Sequence, residues 1–383
     1  MLPKANRLND VKEYYFSTKL REVRSLIDQG KPIINLGIGS PDLAPPESVL
    51  DALKNADTHG YQSYQGLPEL RKAMALFYKK YYGVNLGFEN EVLPLMGSKE
   101  GILHISMAFL NKGDQVLIPD PGYPTYASVT KLIQAEPITY ALNEDHNWWP
   151  DFREIEKSDL SNVKIMWVNY PHMPTGSNAS QMLFEELIAF GKKHQILIVN
   201  DNPYSFVLND NPKSILSVSG AKDVAIELNS LSKTFNMAGW RVGMVVGHET
   251  YLDAILKVKS NMDSGMFFGI QKGAIEALGI SSDWFDEMNK VYEARRKVVW
   301  KICEQLDCTF DRKSSGLFVW ARIPANSNSQ ELTDHILYNH DVFITPGTVF
   351  GSQGEGYIRF SLCVDETKIL EVLKRLTKSE THE

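Results

Sequence analysis

Short apolar runs alternate with longer amphipathic stretches through the middle of the chain. Runs rich in β-branched residues predict strands at residues 115–118, 164–168, 196–199, 225–228 and 243–246. Between the second and third runs, an apolar stripe opposite Glu and Lys predicts a crossover helix near residues 183–193. Such alternation is typical of βαβ units, so the pattern predicts an α/β fold with a mostly parallel sheet.

The pattern differs before and after this region. Pro68 begins a stretch of apolar residues at helical spacing that runs to Tyr81. After it, a long helical pattern at residues 283–306 precedes β-rich stretches near 316–323 and 357–362. We expect a large domain at residues 46–282, a small α+β domain at residues 283–383, and an N-terminal segment at residues 1–45 packed on the small domain. Residues 378–383 are expected to fray.

Composition and charge exclude several classes of protein. With 383 residues, 43% hydrophobic and 23% charged, the chain is predicted to be globular and large enough to hold a cleft between domains. Its net charge of -7 leaves no basic face for nucleic acid or an anionic membrane. The expected partner is a small molecule.

Cysteine, histidine and hydropathy patterns add further exclusions. The 3 cysteines form no C-x-x-C pair and the 9 histidines form no H-E-x-x-H pattern, so we expect neither a disulfide framework nor a metal site. The first 24 residues lack the apolar run of a signal peptide, and no stretch has the length of a membrane span. A cytoplasmic location is the resulting prediction.

Polar side chains follow the predicted strands. In open parallel sheets, ligands bind outside the carboxyl ends of the strands, so these positions should share one crevice. They are Tyr123, Asp201, Tyr204, Ser230, Ser232 and Lys233. Gly97, Ser98 and Lys99 begin an apolar helix whose free N–H groups suit a phosphate, without the spacing of a Walker loop. A dinucleotide fingerprint is also missing, because the third glycine does not follow Gly37 and Gly39.

This set of side chains fits a cofactor with a phosphate, an aromatic ring, a protonated ring nitrogen and an aldehyde that reacts with lysine, namely pyridoxal phosphate. Over nearly the whole chain, the sequence resembles the fold type I aminotransferases of class I/II, nearest to the branch of LL-diaminopimelate, aspartate and alanine aminotransferases. The motifs that carry the resemblance are residues 61–66 (Tyr-Gln-Ser-Tyr-Gln-Gly), 97–99, 121–123, 174–176, 201–204 and 230–233, with Arg241 and Arg359. The resemblance implies a large pyridoxal-phosphate-binding domain with a mixed, mostly parallel sheet in α/β/α layers, and a small α+β domain.

The resemblance also implies catalytic roles. Lys233 would form a Schiff base with the cofactor and then move a proton at the substrate α-carbon. Asp201 would keep the ring nitrogen protonated, Tyr204 would bond the ring hydroxyl, and Tyr123 would stack on the ring. Crowding by Arg241 would lower the lysine pKa. Taken singly, each could instead be a surface lysine, a turn aspartate or a core tyrosine.

Phosphate and substrate contacts follow from the same resemblance. The phosphate would meet the backbone of Ser98 and Lys99, both strand-end serines and Arg241. In this family a tyrosine of the partner subunit also reaches the phosphate. Tyr61 is the matching position in this sequence and Tyr64 the second candidate, which implies a homodimer with shared active sites. Arg359 would bind the substrate α-carboxylate, and Gly39 would let the backbone approach it. Arg359 could also be a strand residue on a solvated face.

One position departs from the family pattern. Relatives usually carry Asn before Pro-Thr-Gly, where this chain has Met173, whose thioether donates no hydrogen bond. The ring hydroxyl would then depend on Tyr204, with Asn169 or His172 as substitutes, and the Schiff-base pKa could be higher than usual for the family.

The expected function is transfer of the amino group of an L-amino acid to a 2-oxo acid by a ping-pong route. A pyridoxal-phosphate-dependent lyase, a non-catalytic amino-acid-binding protein and a pyridoxal-binding regulator are the alternatives. The sequence does not identify the preferred amino acid or 2-oxo acid, and no second arginine for a distal carboxylate is apparent. Residues 261–268 could line the side-chain pocket or pack in the core.

Overall fold

A computed structural model describes residues 2–377, so the predicted frayed tail at residues 378–383 lies outside the described residues. The strands are β1 Ile34–Asn35, β2 Val92–Leu95, β3 Gln115–Asp120, β4 Glu136–Ala141, β5 Val163–Val168, β6 Leu197–Asp201, β7 Ala225–Ser230, β8 Gly243–Gly247, β9 Thr309–Phe310, β10 Phe318–Arg322, β11 Val342–Phe343, β12 Thr345–Pro346 and β13 Tyr357–Ser361. The helices are α1 Tyr15–Asp28, α2 Glu47–Lys54, α3 Pro68–Tyr82, α4 Ser98–Phe109, α5 Thr125–Leu132, α6 Phe152–Ile155, α7 Gln181–His194, α8 Leu231–Thr234, α9 Glu249–Lys259, α10 Phe268–Gly279, α11 Asp283–Gln305, α12 Ser329–His340 and α13 Glu366–Thr377.

The main sheet has seven strands in the order β2-β8-β7-β6-β5-β3-β4. Strands β3 to β7 run parallel, and β8 is antiparallel to both β7 and β2. All five predicted strands are present, and β6 and β7 extend to Asp201 and Ser230. The sequence pattern missed β2, which contains Pro94, and β4, which is half exposed; both are edge strands.

Helices cover both faces of this sheet. Successive side chains of the central strands point to opposite faces, and large apolar side chains on both faces are buried under the helices. Trp167 of β5 points to the layer of α4, α5 and α9, whereas Met166 and Val168 point to the layer of α3, α7 and α10. All three side chains are fully buried. The result is the expected α/β/α arrangement, and its central strands leave their polar last residues at one edge.

The C-terminal part contains a second, antiparallel sheet in the order β12-β13-β10-β9. The N-terminal segment contacts this part of the chain: β1 pairs in parallel with β11, and Lys19 forms a 3.3 Å ion pair with Asp334 of α12. The domain boundaries at residues 45 and 282 stay a prediction. Within residues 2–377, no helix is both long and apolar enough to cross a membrane.

Asp120 joins the main sheet to the C-terminal part. It is the buried last residue of β3, and its carboxylate accepts hydrogen bonds from Ser352 N (3.1 Å), Ser352 Oγ (2.7 Å) and Gln353 N (3.0 Å). Beside it, Gly122 N donates to Phe350 O over 2.7 Å. These contacts fix the turn that carries Phe350 against the end of β3.

Replacing Asp120 with Ala would remove the acceptor of three hydrogen bonds from Ser352 and Gln353. We expect the free energy of unfolding to fall by about 3 kcal/mol, since several hydrogen bonds to one buried carboxylate are lost together. Ser352→Ala removes only one hydroxyl donor and should cost about 1 kcal/mol. Urea unfolding followed by fluorescence measures both, and equal losses would contradict this account of the junction.

Candidate active site

A cavity of about 490 Å³ lies at the carboxyl ends of β3, β5, β6 and β7. Apart from Tyr61, the structure brings every predicted site residue to its wall. These residues are Gly39, Ser98, Lys99, Tyr123, Asp201, Tyr204, Ser230, Ser232, Lys233, Arg241 and Arg359. Parallel pairing explains the convergence, because β6 and β7 end side by side, with Asp201 opposite Leu228.

Lys233 lies in the short helix α8, directly after β7. Ser230 begins that helix by accepting a hydrogen bond from Ser232 N at 3.0 Å. The Lys233 ammonium donates to the carbonyl oxygen of Gly39. Burial lowers the pKa of Lys233, and the nearby cations of Arg359 and Arg241 lower it further. A larger share of this amine is therefore neutral, the form that attacks an aldehyde.

Asp201 presents one free oxygen in a buried setting. Its Oδ2 accepts a 2.9 Å hydrogen bond from Tyr126, while the buried Oδ1 has no partner within the described residues. Burial raises the pKa of Asp201 to about 7. An unpaired buried carboxylate oxygen is costly, so this one fits a ligand that brings an N–H donor, such as a protonated pyridine ring.

Hydrogen-bond donors gather at the corner of the cavity where α4 begins. Gly97 has φ 91°, and a Cβ there would lie 2.2 Å from Arg241 Nη2, so glycine is needed for the guanidinium to reach this corner. Arg241 is held by a 2.8 Å hydrogen bond from its Nη1 to Ala238 O. The N-terminal N–H groups of α4 and the hydroxyl groups of Ser230 and Ser232 complete a set of donors that fits a phosphate.

Two tyrosines on the cavity wall belong to the loop and helix after β3. Tyr123 packs edge-on against Tyr126, with ring centroids 5.6 Å apart, and Tyr126 stacks on Trp167 at 4.9 Å. Burial raises the pKa of Tyr123, so its hydroxyl stays neutral. Sequence reasoning missed Tyr126, which follows Tyr123 by three residues and looks like a core position on α5.

Arg359 of β13 is buried with much of its hydrogen-bonding capacity unused. Its Nη2 donates to Gly37 O at 2.7 Å, while its Nε has no partner within the described residues. The guanidinium lies 3.9 Å from the Phe318 ring centroid and 4.5 Å from that of Phe350. Burial lowers the pKa of Arg359 to about 10, which leaves it cationic at neutral pH. A rigid, cationic fork with free donors fits a carboxylate.

Gly39 has a packing reason to be glycine beyond the predicted approach to substrate. A Cβ at this position would lie 2.2 Å from the Phe318 ring. Its carbonyl also accepts the Lys233 hydrogen bond. Gly39 therefore keeps Phe318 and Lys233 in their observed positions.

Met173 contacts Arg359, since its Sδ lies 3.3 Å from Arg359 Nη1. Asn169 and His172 are the candidates to replace the donor that Met173 lacks. The Asn169 amide already bonds the backbone, since its Nδ2 donates to Asp201 O and its Oδ1 accepts from Met173 N. His172 bonds Thr175 Oγ1 at 2.8 Å and does not line the cavity. Tyr204 is the remaining candidate, and its hydroxyl bonds no protein group within residues 2–377.

Some residues considered in the sequence analysis lie outside this cavity, and others that line it were not predicted. Tyr61 is 92% exposed and lies outside the cavity of its own chain, and Tyr64 is also exposed. No residue of 261–268 lines that cavity. Sequence reasoning missed the apolar wall, because such side chains carry no chemical signature before folding; it consists of Tyr14, Phe16, Leu20, Ile38, Phe318 and Phe350.

Comparisons with known proteins identify the family of the chain. The family model "Aminotransferase class I and II" matches residues 31–376. LL-diaminopimelate aminotransferase from Halothermothrix orenii is 38% identical over 382 residues, covering 98% of each chain. The corresponding enzyme from Dehalococcoides mccartyi is 40% identical and covers 97% of each chain. Among solved structures, apo-BacF from Bacillus subtilis has a TM-score of 0.95 at 34% identity, covering 99% of this chain and 98% of that one.

The match to the family model and to these relatives extends over nearly the whole chain, and the fold is that of the fold type I aminotransferases. The cavity offers a lysine, an unpaired carboxylate oxygen, a phosphate corner and a free arginine fork, which are the groups that pyridoxal phosphate and an amino acid require. The chain belongs to the class I and II aminotransferase family, and it is a pyridoxal-phosphate-dependent aminotransferase.

Proposed function

We propose that the cavity binds pyridoxal phosphate between Asp201 and Lys233, and the α-carboxylate of an L-amino acid at Arg359. The observation that carries this proposal is the buried, unpaired Oδ1 of Asp201, which shares the cavity with Lys233 and Arg359. The phosphate would lie against Arg241, the first turn of α4 and the two strand-end serines. The cytoplasmic location stays a prediction.

Each side chain then has a physical task. When bound, pyridoxal phosphate supplies a pyridine ring that withdraws electrons from the substrate α-carbon. Asp201 holds a proton on the ring nitrogen, because a buried carboxylate is stabilised by an opposite charge. Lys233 provides the amine that binds the cofactor and afterwards carries a proton to or from the α-carbon. Arg359 orients the substrate through its carboxylate, and Tyr204 donates to the ring hydroxyl.

We further propose that two copies of the chain form a homodimer. Loops 61–66 and 262–267 leave four large apolar side chains exposed: Tyr61 (92%), Tyr64 (47%), Met262 (55%) and Phe267 (47%). The buried ammonium of Lys259 joins the two loops, since it bonds Tyr64 O and Asp263 Oδ1, both at 2.9 Å. A fixed apolar surface of this kind favours an interface, and the second copy's Tyr61 would reach the phosphate.

Covalent attachment tests the assignment of Lys233. We expect pyridoxal phosphate to give the wild-type protein visible absorbance, and borohydride reduction to label Lys233, because its amine has the lowered pKa and the position for attack. An added L-amino acid should convert the cofactor to its pyridoxamine form and release a 2-oxo acid. Lys233→Ala should slow this conversion by roughly three orders of magnitude.

Lys99→Ala is the matched control, since Lys99 lies in the same cavity but should bind the phosphate only through its backbone. It should keep the label and the conversion. A label at Lys99, or no label at all, would contradict the assignment. Release of ammonia with the cofactor unchanged would indicate a lyase instead.

Subunit complementation tests the shared site. Tyr61→Ala should weaken cofactor affinity about tenfold, as expected for one lost hydrogen bond to a charged group. A heterodimer of Lys233→Ala and Tyr61→Ala subunits contains one site with both native residues only if Tyr61 acts across the interface. At low cofactor concentration, mixing the two homodimers should therefore raise the activity above the sum of their separate activities.

Sedimentation equilibrium provides the companion measurement, with an expected mass of twice 43.3 kDa. If mixing gives no activity above the sum of the separate activities although heterodimers form, Tyr61 does not act in the partner's site. A protein that sediments as a monomer would overturn the homodimer itself.

A further inference from the structure

Apolar side chains form the wall of the cavity beside Arg359. Besides Phe318 and Phe350, the Phe16 ring centroid lies 5.5 Å from the guanidinium. Ile38 lies between Gly37, whose carbonyl accepts from Arg359, and Gly39, whose carbonyl accepts from Lys233. A ligand held at Arg359 with its α-carbon near Lys233 therefore lies along Ile38.

Helix α1 extends this wall toward solvent. Phe16 and Leu20 are one helical turn apart, so both project from the same face, and both line the cavity. Phe16 is buried, whereas Leu20 is 37% exposed, which puts Leu20 at the mouth. Tyr14, just before the helix, lies under the Lys99 ammonium at 4.1 Å. A side chain leaving the α-carbon toward the mouth thus meets mainly hydrocarbon.

Four of the five charged side chains that line the cavity have tasks in the proposed function. Those that line it are Lys99, Asp201, Lys233, Arg241 and Arg359. Asp201 and Lys233 face the cofactor, Arg241 the phosphate, and Arg359 the α-carboxylate. The remaining cation, Lys99, has its ammonium 4.1 Å from the Tyr14 ring centroid, and burial, followed by the charge of Arg241, lowers its pKa. Among the described residues that line the cavity, no carboxylate is left for a distal ammonium and no arginine for a distal carboxylate.

The loop that would enter from a second copy adds no charge either. Residues 61–66 read Tyr-Gln-Ser-Tyr-Gln-Gly. Burying a charge without a partner is far more costly than burying an apolar group, which is favourable. The cavity should therefore bind amino acids with apolar side chains much better than amino acids with charged side chains.

We propose that the amino donor of this enzyme is an L-amino acid with a large apolar side chain, of the class of phenylalanine, leucine and methionine, seated against Phe16, Leu20 and Ile38. This inference rests on the proposed function, because it requires the α-carboxylate at Arg359. It separates the chain from the activity named for its LL-diaminopimelate relatives, whose substrate carries a carboxylate and an ammonium at its far end.

Single-turnover kinetics tests the inference without the need for an acceptor. The loaded enzyme is mixed with one donor at a time, and the rate of conversion to the pyridoxamine form is followed by absorbance. Phenylalanine, leucine and methionine should exceed aspartate, glutamate and LL-diaminopimelate by about a hundredfold in second-order rate constant, as a buried unpaired charge implies. If a charged donor is fastest, the inference fails.

Unreactive carboxylates provide a binding readout that involves no chemistry. By calorimetry, 3-phenylpropanoate and 4-methylpentanoate should bind the loaded enzyme at least about tenfold more tightly than succinate or glutarate, since only the former bury an uncharged tail. Equal or reversed affinities would overturn the assignment of the apolar wall.

A charge placed at the mouth should change the preference. Leu20→Arg should shift the ratio of glutamate to phenylalanine rates by about tenfold or more toward glutamate, because it supplies a partner for the distal carboxylate. Ile27→Arg is the matched control: Ile27 is an exposed apolar residue on the same helix, 49% exposed, that does not line the cavity. It should leave the ratio unchanged.

Leu20→Gln provides a second test if the arginine variant folds poorly. It should lower the rate with phenylalanine about threefold without raising the rate with glutamate. Equal behaviour of Leu20→Arg and Ile27→Arg would overturn the placement of the side chain. If no amino acid at all converts the cofactor, the proposed function fails; if charged donors react best, only the present inference fails.

Discussion

Asp201, Lys233 and Arg359 bring three ionisable groups into one cavity, and the protein leaves each with unused hydrogen-bonding or reactive capacity. Asp201 Oδ1 and Arg359 Nε are buried without a partner within the described residues, and burial is the first cause of the pKa shift of all three groups. Folding tolerates this cost because the surrounding sheet is well packed, and ligands of opposite charge reduce it.

The rest of the structure keeps these groups in place. Parallel pairing of β6 with β7 sets Asp201 beside the start of the Lys233 helix, and Gly97 lets Arg241 reach the phosphate corner. Asp120 ties the turn that bears Phe350 to the end of β3, so that Phe350 lies over the Arg359 guanidinium. The positions of the ionisable groups in the cavity thus depend on contacts between parts of the chain that are distant in sequence.

Much of this site could be predicted from the sequence, because polar residues that follow apolar strand runs have few structural explanations other than function. Lys233, Asp201 and Ser230 were found in this way. Phe16 and Phe350 could not be found, because a phenylalanine that lines a cavity looks the same in sequence as one that packs in a core. The hydrogen bonds of Asn169 to backbone groups could not be predicted either, since they depend on the folded path of residues 169–173. The edge strands β2 and β4 were missed because Pro94 and partial exposure break the pattern of a buried strand.

The central claim is that Asp201 is buried with an oxygen that only the cofactor satisfies, and thermal unfolding against pH tests it most directly. Its pKa is raised from 3.8 to about 7, so the folded protein without cofactor binds a proton that the unfolded chain has released, and stability should fall as pH rises through that window. The measurement compares wild type with Asp201→Asn, each with and without pyridoxal phosphate. The account predicts that the cofactor-free wild type loses stability over this window and regains it with cofactor, while Asp201→Asn does neither. Parallel curves for the two proteins would contradict it.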